Sequence, residues 1–121
     1  MTSYRELKIF QISRDLAVEV HKMSLSLPKF ELYEEGAQVR RSSKSVTSNI
    51  VEGYGRKRYK ADYIRYLICS LAECDETIVH LEFLLDTGSA VDKEETEKLL
   101  AEYNVLSKRI NKYIQWVERD M

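Results

Sequence analysis

The chain has 121 residues, 32% of them charged, and a formal net charge of −1. This length suits one domain, residues 1–121, with a core large enough to need no disulfide or metal staple. With only 4 glycines and 1 proline, turn residues are too few for a many-stranded β fold, which favours a few long helices. No apolar run is long enough to span a bilayer and the first residues lack a signal-peptide pattern, so a cytoplasmic location is expected.

The first predicted helix follows a capping box, with Ser3 as the cap and Glu6 three residues later. Pro28 ends it, because proline cannot continue a helix. Its apolar stripe recurs at spacings of three and four and comprises Leu7, Phe10, Ala17, Val20, Met23 and Leu27.

The second predicted helix begins between residues 29 and 35 and stops at Gly53 and Gly55. Its core stripe is Val39, Ser43, Val46 and Ile50. The opposite face mixes charges with small residues that have poor helix propensity, which indicates close packing against another subunit. The residues predicted for this oligomer interface are Ala37, Arg41, Ser45, Ser48 and Glu52. Arg41 and Glu52 are too far apart on one helix to pair, so each is expected to find a partner elsewhere.

The third and fourth predicted helices have the clearest stripes. The third is closed by Gly88, and Asp92 caps the fourth with Glu95 reaching back. The third stripe is Tyr63, Leu67, Ser70, Cys74, Ile78, Leu81 and Leu85. The fourth is Leu99, Tyr103, Leu106, Ile110, Tyr113 and Val117. Four such stripes joined by short loops predict an all-α fold, an antiparallel up-down-up-down four-helix bundle.

Charge is strongly sorted along the chain despite the near-neutral total. Residues 36–65 carry a net +6, whereas residues 66–104 carry −8. In an up-down bundle, the loop between the second and third helices lies at the same end as both chain termini. We therefore expect one basic end, with the acidic hairpin at residues 86–97 at the other. The cations expected at the basic end, besides those of residues 53–60, are Arg5, Lys8, Lys108, Arg109, Lys112 and Arg119.

The basic segment is predicted to bind RNA or DNA without enzymatic activity, through backbone contacts with little sequence preference. Its cations neutralise phosphates and its tyrosines offer stacking surfaces. The predicted contact residues are Arg40, Arg41, Lys44, Tyr54, Arg56, Lys57, Arg58, Tyr59 and Lys60. Two alternatives have no nucleic-acid role: an adaptor whose charged ends dock protein partners, and a scaffold whose opposite ends attract neighbouring particles.

No cofactor, metal site or catalytic residue is predicted. A di-iron bundle needs Glu-x-x-His pairs, but Thr77 precedes His80 at that spacing. His80 is instead expected to hydrogen-bond Glu76. Cys69 and Cys74 lie about 140° apart around one helix, so we expect two reduced, structural thiols.

A longer motif resembles a known family. Residues 38–53 read QVRRSSKSVTSNIVEG, Gly55-Arg56 follows, and Tyr63-Ile-Arg-Tyr-Leu67 comes next. This QxRRxxxSxxSNIxEG pattern resembles the "four helix bundle protein" family, which includes proteins encoded in intervening sequences of bacterial large-subunit ribosomal RNA genes. The likeness extends from Glu6-Leu7 to Thr87-Gly88.

The resemblance implies a cytoplasmic bacterial bundle that assembles as a ring-like homopentamer and has a presumed nucleic-acid role. A related accessory protein of diversity-generating retroelements binds nucleic acid and a reverse transcriptase through a similar basic pentamer. Relatives often have Ala-x-Gly-Ser-x-x-Glu in the third helix, where this chain reads CSLAECDE at residues 69–76. A larger residue fills the glycine position, which predicts different packing there.

Overall fold

The computed structural model describes residues 3–121, which form an all-α fold without strands. A 3₁₀ turn at Tyr4–Glu6 precedes the first α-helix. The helices are α1 (Lys8–Ser24), the one-turn α2 (Lys29–Leu32), α3 (Glu35–Gly55), α4 (Lys60–Asp86) and α5 (Lys93–Asp120). The four long helices are those predicted from the apolar stripes. No helix in this part of the chain has the length and apolarity needed to cross a membrane.

The two predicted caps differ in outcome. Ser3 does not cap the first α-helix: its Oγ accepts from the Arg5 N–H at 3.1 Å and caps the 3₁₀ turn. The α-helix begins only after Leu7, whose extended backbone separates the two elements. The cap at Asp92 is confirmed, since its Oδ1 accepts from the Glu95 N–H at 3.0 Å.

Of the two glycines predicted to stop the second helix, Gly55 ends it and Gly53 does not. Helix α3 continues through Gly53 and ends at Gly55, and neither glycine has a positive φ. Only Gly88, after α4, adopts the left-handed conformation among the described residues, with φ 76°. Gly53 is a packing residue instead, because it lies buried against Tyr63 and Tyr66 of α4.

The core follows the predicted stripes with small shifts on the last two helices. Every predicted stripe residue of α1 and α3, together with Leu7 and Leu27, is buried. On α4, Thr77 and Leu84 are buried where Ile78 and Leu85 were predicted, and on α5 Ile114 is buried more deeply than Tyr113. Each shift is a single residue around the helix, since two neighbouring positions can both border a packed seam.

Buried hydroxyl groups join the helices at the α3–α4 contact. Ser70 Oγ donates to the Val46 carbonyl at 2.7 Å, and Thr77 Oγ1 donates to Ser42 Oγ at 2.8 Å. Later residues of α4 therefore contact earlier residues of α3, which is compatible with the predicted antiparallel order. Further interhelical hydrogen bonds are compatible with the same order, among them Thr47 with Ser13, Arg40 with Ser24, Tyr63 with Tyr113, and Ser107 with Asp75.

Candidate nucleic-acid interface

The loop between α3 and α4, residues 56–59, is exposed at every residue and is called the basic loop here. Arg56, its first residue, is paired with acids: its Nη2 lies 3.1 Å from Glu52 Oε1 and its Nη1 lies 3.9 Å from Asp62 Oδ2. A hydrogen bond to Glu52 raises the pKa of the Arg56 guanidinium. Asp62 also pairs with Arg65 at 3.5 Å. Two cations thus share two carboxylates and add little net positive charge.

Lys57 and Arg58 are the cations of the basic loop that have no ion pair to any residue from 3 to 121. Lys57 Nζ donates to the Tyr54 hydroxyl at 2.7 Å and lies 3.9 Å from the centre of that ring. The Arg58 guanidinium lies 5.8 Å from the centre of the Tyr59 ring. Both charges are solvent-exposed and beside an aromatic ring, the combination expected at a phosphate and base contact.

Lys60 holds two helices together. Its Nζ donates to the Glu118 and Met121 carbonyl oxygens, both at 2.8 Å. A cation beside the carbonyl groups that end a helix is favoured by the helix dipole. Lys60 therefore fixes the last turn of α5 against the first turn of α4.

Further cations gather at the same end of the bundle. A groove of about 600 Å³ lies between the chain start and the end of α5. We call it the basic groove; its charged lining residues are the cations Lys8, Arg109, Lys112 and Arg119 and the acid Glu6. Arg119 is paired with Asp120 at 2.9 Å, so Lys8, Arg109 and Lys112 supply most of the net positive charge. The sequence placed these residues at the basic end together with the basic loop. Tyr4 and Tyr54, with ring centres 6.4 Å apart, join the chain start to the end of α3.

An aromatic chain crosses this end, and sequence reasoning missed it. Ring centres lie 6.4 Å apart for Tyr54 and Tyr63, 6.1 Å for Tyr63 and Tyr113, and 5.8 Å for Tyr113 and Trp116. Burial raises the pKa of the Tyr63 and Tyr113 hydroxyl groups, so both remain protonated at neutral pH. The available signal was the pair Tyr113 and Trp116, one turn apart in a basic segment. Trp116 is also outside the predicted core stripe of the fourth helix, so core packing did not account for it.

The other predicted contact residues, Arg40, Arg41 and Lys44, lie toward the other end of α3. About 22 Å of helix axis separates Arg40 from Gly55, at ~1.5 Å per residue. Arg40 is partly buried, and its guanidinium donates to Ser24 Oγ at 2.9 Å and to the Leu32 carbonyl at 2.7 Å. Lys44 Nζ lies 3.1 Å from His21 Nδ1. The structure does not bring these three cations together with the basic loop.

The predicted oligomer face of α3 contains residues whose charges are paired within the chain. Arg41 lies 3.5 Å from Glu73 and 3.8 Å from Glu76, both on α4, and Glu52 pairs with Arg56. Ala37 and Ser45 are half-buried, and Ser48 is exposed with its hydroxyl donating to the Ser45 carbonyl at 3.3 Å. A subunit contact at this face stays a prediction, but its two charged residues already have partners.

The predicted hydrogen-bond partner of His80, Glu76, is wrong. Its Nδ1 lies 2.7 Å from Glu35 Oε2, at the start of α3, and not against Glu76. The reason is that Glu76 faces Arg41, whereas His80 faces the neighbouring helix start. Within residues 3–121, no group of three or more His, Cys, Asp or Glu side chains is arranged to hold a metal ion.

Comparison with known proteins gives two findings. A family model described as "23S rRNA-intervening sequence protein" matches residues 5–112. The chain is also similar to the crystal structure of a protein of unknown function from the S23 ribosomal protein family of Bacteroides thetaiotaomicron. That match has a TM-score of 0.75 and 25% identity, and it covers 88% of this chain and 97% of the other. None of the curated proteins matches the chain significantly.

Proposed function

The chain belongs to the 23S rRNA-intervening sequence protein family, and on that premise we propose that it is a non-enzymatic RNA- or DNA-binding protein. In this proposal the bundle is antiparallel, up-down-up-down, and the basic loop and basic groove form one binding surface at its end. The protein acts in the bacterial cytoplasm as a ring-like homopentamer, the assembly that the family resemblance implies. Repetition of a weak site around a ring turns it into an avid one.

The observation that carries the proposal is the pair of exposed cations at Lys57 and Arg58. Both lack a carboxylate partner among the described residues, and each lies beside a tyrosine ring. Their charge is therefore available to phosphate, whereas most of the charge of Arg56 is compensated by Glu52 and Asp62. Backbone contacts of this kind give strong salt dependence and little sequence preference.

The test is a titration of labelled single-stranded RNA and DNA against the protein at several salt concentrations. We expect the double variant Lys57→Ala, Arg58→Ala to bind more weakly. The slope of log affinity against log salt should fall by about 0.7 for each phosphate that the variant no longer neutralises. The matched control is Lys93→Ala, Lys98→Ala, which removes the same charge from the start of α5. Equal binding by the two double variants, or none by wild type at low salt, would refute the proposal.

A second candidate function is a protein adaptor or scaffold, and the outer face of α4 favours it. Ile68, Val79 and Phe83 are 51%, 45% and 50% exposed. They lie within about 60° of one another around α4, at about 100° per residue, although Asp75 is exposed on the same side between Ile68 and Val79. Capture of a protein partner that survives nuclease and is abolished by Phe83→Arg would favour the adaptor. Salt-dependent self-association without any other ligand would favour the scaffold.

The proposed oligomer is tested by mass in solution. A ring-like homopentamer predicts a mass five times that of the chain, 14.2 kDa. Substitution of Ser48 by Glu, on the predicted oligomer face, should reduce that mass, whereas Asn111→Glu at an exposed position of α5 should not. A monomer at all micromolar concentrations would contradict the assembly.

A further inference from the structure

A small aromatic pocket opens at the basic end, beside the basic loop. Its volume is about 290 Å³, and its walls are Tyr54, Lys57, Tyr63, Tyr113, Trp116 and Met121. Sites for drug-sized ligands start at roughly this volume. The pocket therefore suits one planar ring and not a larger molecule.

The walls offer a stacking surface and a hydrogen-bond donor. Trp116 is 44% exposed and is stacked on Tyr113, with an angle of 26° between the rings. The Tyr63 and Tyr113 hydroxyl oxygens lie 2.7 Å apart. That bond uses one of the two hydroxyl protons, so the second is available to donate to a carbonyl or ring nitrogen of a ligand.

The charge at the pocket selects against a cationic ligand. Lys57 Nζ already lies 3.9 Å from the centre of the Tyr54 ring, where the ammonium of a choline-like ligand would bind. A second cation would be repelled, whereas an aromatic ring that carries a phosphate is attracted. The basic groove shares Tyr113 with the aromatic pocket, so phosphates on either side of a bound ring would meet Lys57 or the cations of the groove.

We propose that the aromatic pocket receives one unstacked base of a single-stranded nucleic acid, with the flanking phosphates on Lys57 and in the basic groove. This inference rests on the proposed function and adds that the protein distinguishes single strands from duplexes. The base stacks on Trp116 and accepts a hydrogen bond from the tyrosine pair. A duplex keeps its bases stacked and paired, so it offers the basic end only its backbone. Lys60 is a positioning residue here, because it fixes the turn of α5 that carries Trp116 and Met121.

Trp116 is the chain's 1 tryptophan, so intrinsic tryptophan fluorescence reports on this pocket alone. The experiment titrates the full-length protein with a short oligouridylate and with an abasic oligomer of the same length. The two probes have the same phosphates, and only one has bases. We expect the oligouridylate to quench the tryptophan fluorescence and to bind about 10-fold more tightly than the abasic oligomer. A duplex of equal length should leave the fluorescence unchanged.

The variants separate stacking from charge. Trp116→Ala should remove the roughly 10-fold preference for the oligouridylate, measured with labelled probes, and Trp116→Phe should restore most of it. Tyr33→Ala is the matched control, since it removes an exposed aromatic residue outside the pocket. Lys57→Ala, Arg58→Ala should weaken binding of both probes in parallel.

The outcomes distinguish this inference from the proposed function. Equal binding of the oligouridylate and the abasic oligomer, with unchanged fluorescence, overturns the base pocket but leaves the phosphate-binding surface intact. Absence of binding by every probe at low salt overturns both. Tight binding of free uridine monophosphate, equal to that of the oligomer, overturns the assignment to a strand.

Discussion

Gly53 of α3 approaches Tyr66 of α4 so closely that a Cβ added to Gly53 would lie 2.9 Å from the Tyr66 Cβ. The same Cβ would lie 3.2 Å from Tyr63 Cδ1 and 3.4 Å from the Tyr63 carbonyl oxygen. Because a Cβ and a backbone atom of α4 are involved, the contact cannot be relieved by moving the end of a flexible side chain. The absence of a side chain at Gly53 thus sets the distance between the two helices just before the basic loop.

The first prediction concerns this contact. Gly53→Ala should lower the free energy of unfolding by about 1–3 kcal/mol, because it overpacks the helix contact. Gly55→Ala is the control: a Cβ there has no atom within 4 Å and Gly55 is the last residue of α3, so stability should change by less than about 0.5 kcal/mol. Urea unfolding of both variants measures the effect. If Gly53→Ala and Gly55→Ala were equally stable, α3 and α4 would separate at this point without cost, which would contradict a tight contact at Gly53.

The second prediction concerns Arg40, which the sequence suggested as a phosphate contact. Its guanidinium donates to Ser24 and Leu32 and ties the segment between α1 and α3 to α3 itself. Arg40→Ala should cost about 1.5–3 kcal/mol of stability, the usual range for hydrogen bonds made by charged groups. Lys44→Ala, which removes an exposed cation one turn later, should change stability by less than about 0.5 kcal/mol.

Nucleic-acid binding provides a separate readout for the same pair of variants. Both should retain the salt slope of wild type, provided that the measurement is made where Arg40→Ala is folded. If both variants bound nucleic acid much more weakly with little change in stability, Arg40 and Lys44 would belong to the binding surface.

The third prediction is a pH dependence at Glu73. Burial and the neighbouring Glu76 raise the pKa of the Glu73 carboxyl, whereas Arg41 and His80 act in the opposite direction. Between the ordinary glutamate pKa and this raised value, the folded state retains a proton that the unfolded state releases. Stability due to this group is therefore fully present at low pH and is lost as pH rises through the raised pKa.

Glu73→Gln should remove that pH dependence. The variant is expected to be more stable than wild type near pH 7, and the difference should shrink toward about pH 3, where Glu73 is protonated in both the folded and the unfolded state. Urea unfolding at the two pH values measures this. A variant that is less stable near pH 7 would show that the ion pair with Arg41, at 3.5 Å, outweighs the cost of burial.

The fourth prediction distinguishes the two thiols. Burial raises the pKa of the Cys74 thiol to about 12, whereas Cys69 is exposed on α4. Since the thiolate is the reactive form, a thiol reagent near pH 7 should modify Cys69 rapidly and Cys74 only after unfolding. Cys69→Ser is the control and should show no rapid reaction in the native state. Rapid modification of two thiols in native wild type would contradict the packing around Cys74.

The sequence predicted the buried faces well and the polar contacts poorly. Val39, Val46 and Ile50 are fully buried as the stripe required, because hydrophobic burial follows helical periodicity. The partner of His80 and the role of Arg40 were missed. Long polar side chains reach several neighbours on other helices, so their partners depend on helix separation and rotation, which periodicity does not give.

For the candidate site too, the sequence predicted one part and the packing of the helices decided the rest. The sorting of charge along the chain predicted a surplus of cations at one end of the bundle. The basic groove includes Lys8, Arg109 and Lys112, as expected. The fold decides which of these cations remain unpaired, because it brings carboxylates close to some of them. Arg56 is paired with Glu52 and Asp62. Spacing along one helix gives i,i+4 pairs such as Glu52 with Arg56, but the pairing with Asp62 crosses a loop.

The amino-acid sequence by itself determined the four long helices, their buried faces and the separation of charge along the chain, because these depend on residue order and helical periodicity. Only the tertiary structure decided that Tyr54, Tyr63, Tyr113 and Trp116 meet in one chain of rings. It also left Lys57 and Arg58 as the exposed cations of the basic loop without an ion pair to the described residues. The physical reason is that ring contacts and ion pairs act over a few ångströms between helices that are far apart in the chain. Their existence is fixed by how the helices pack.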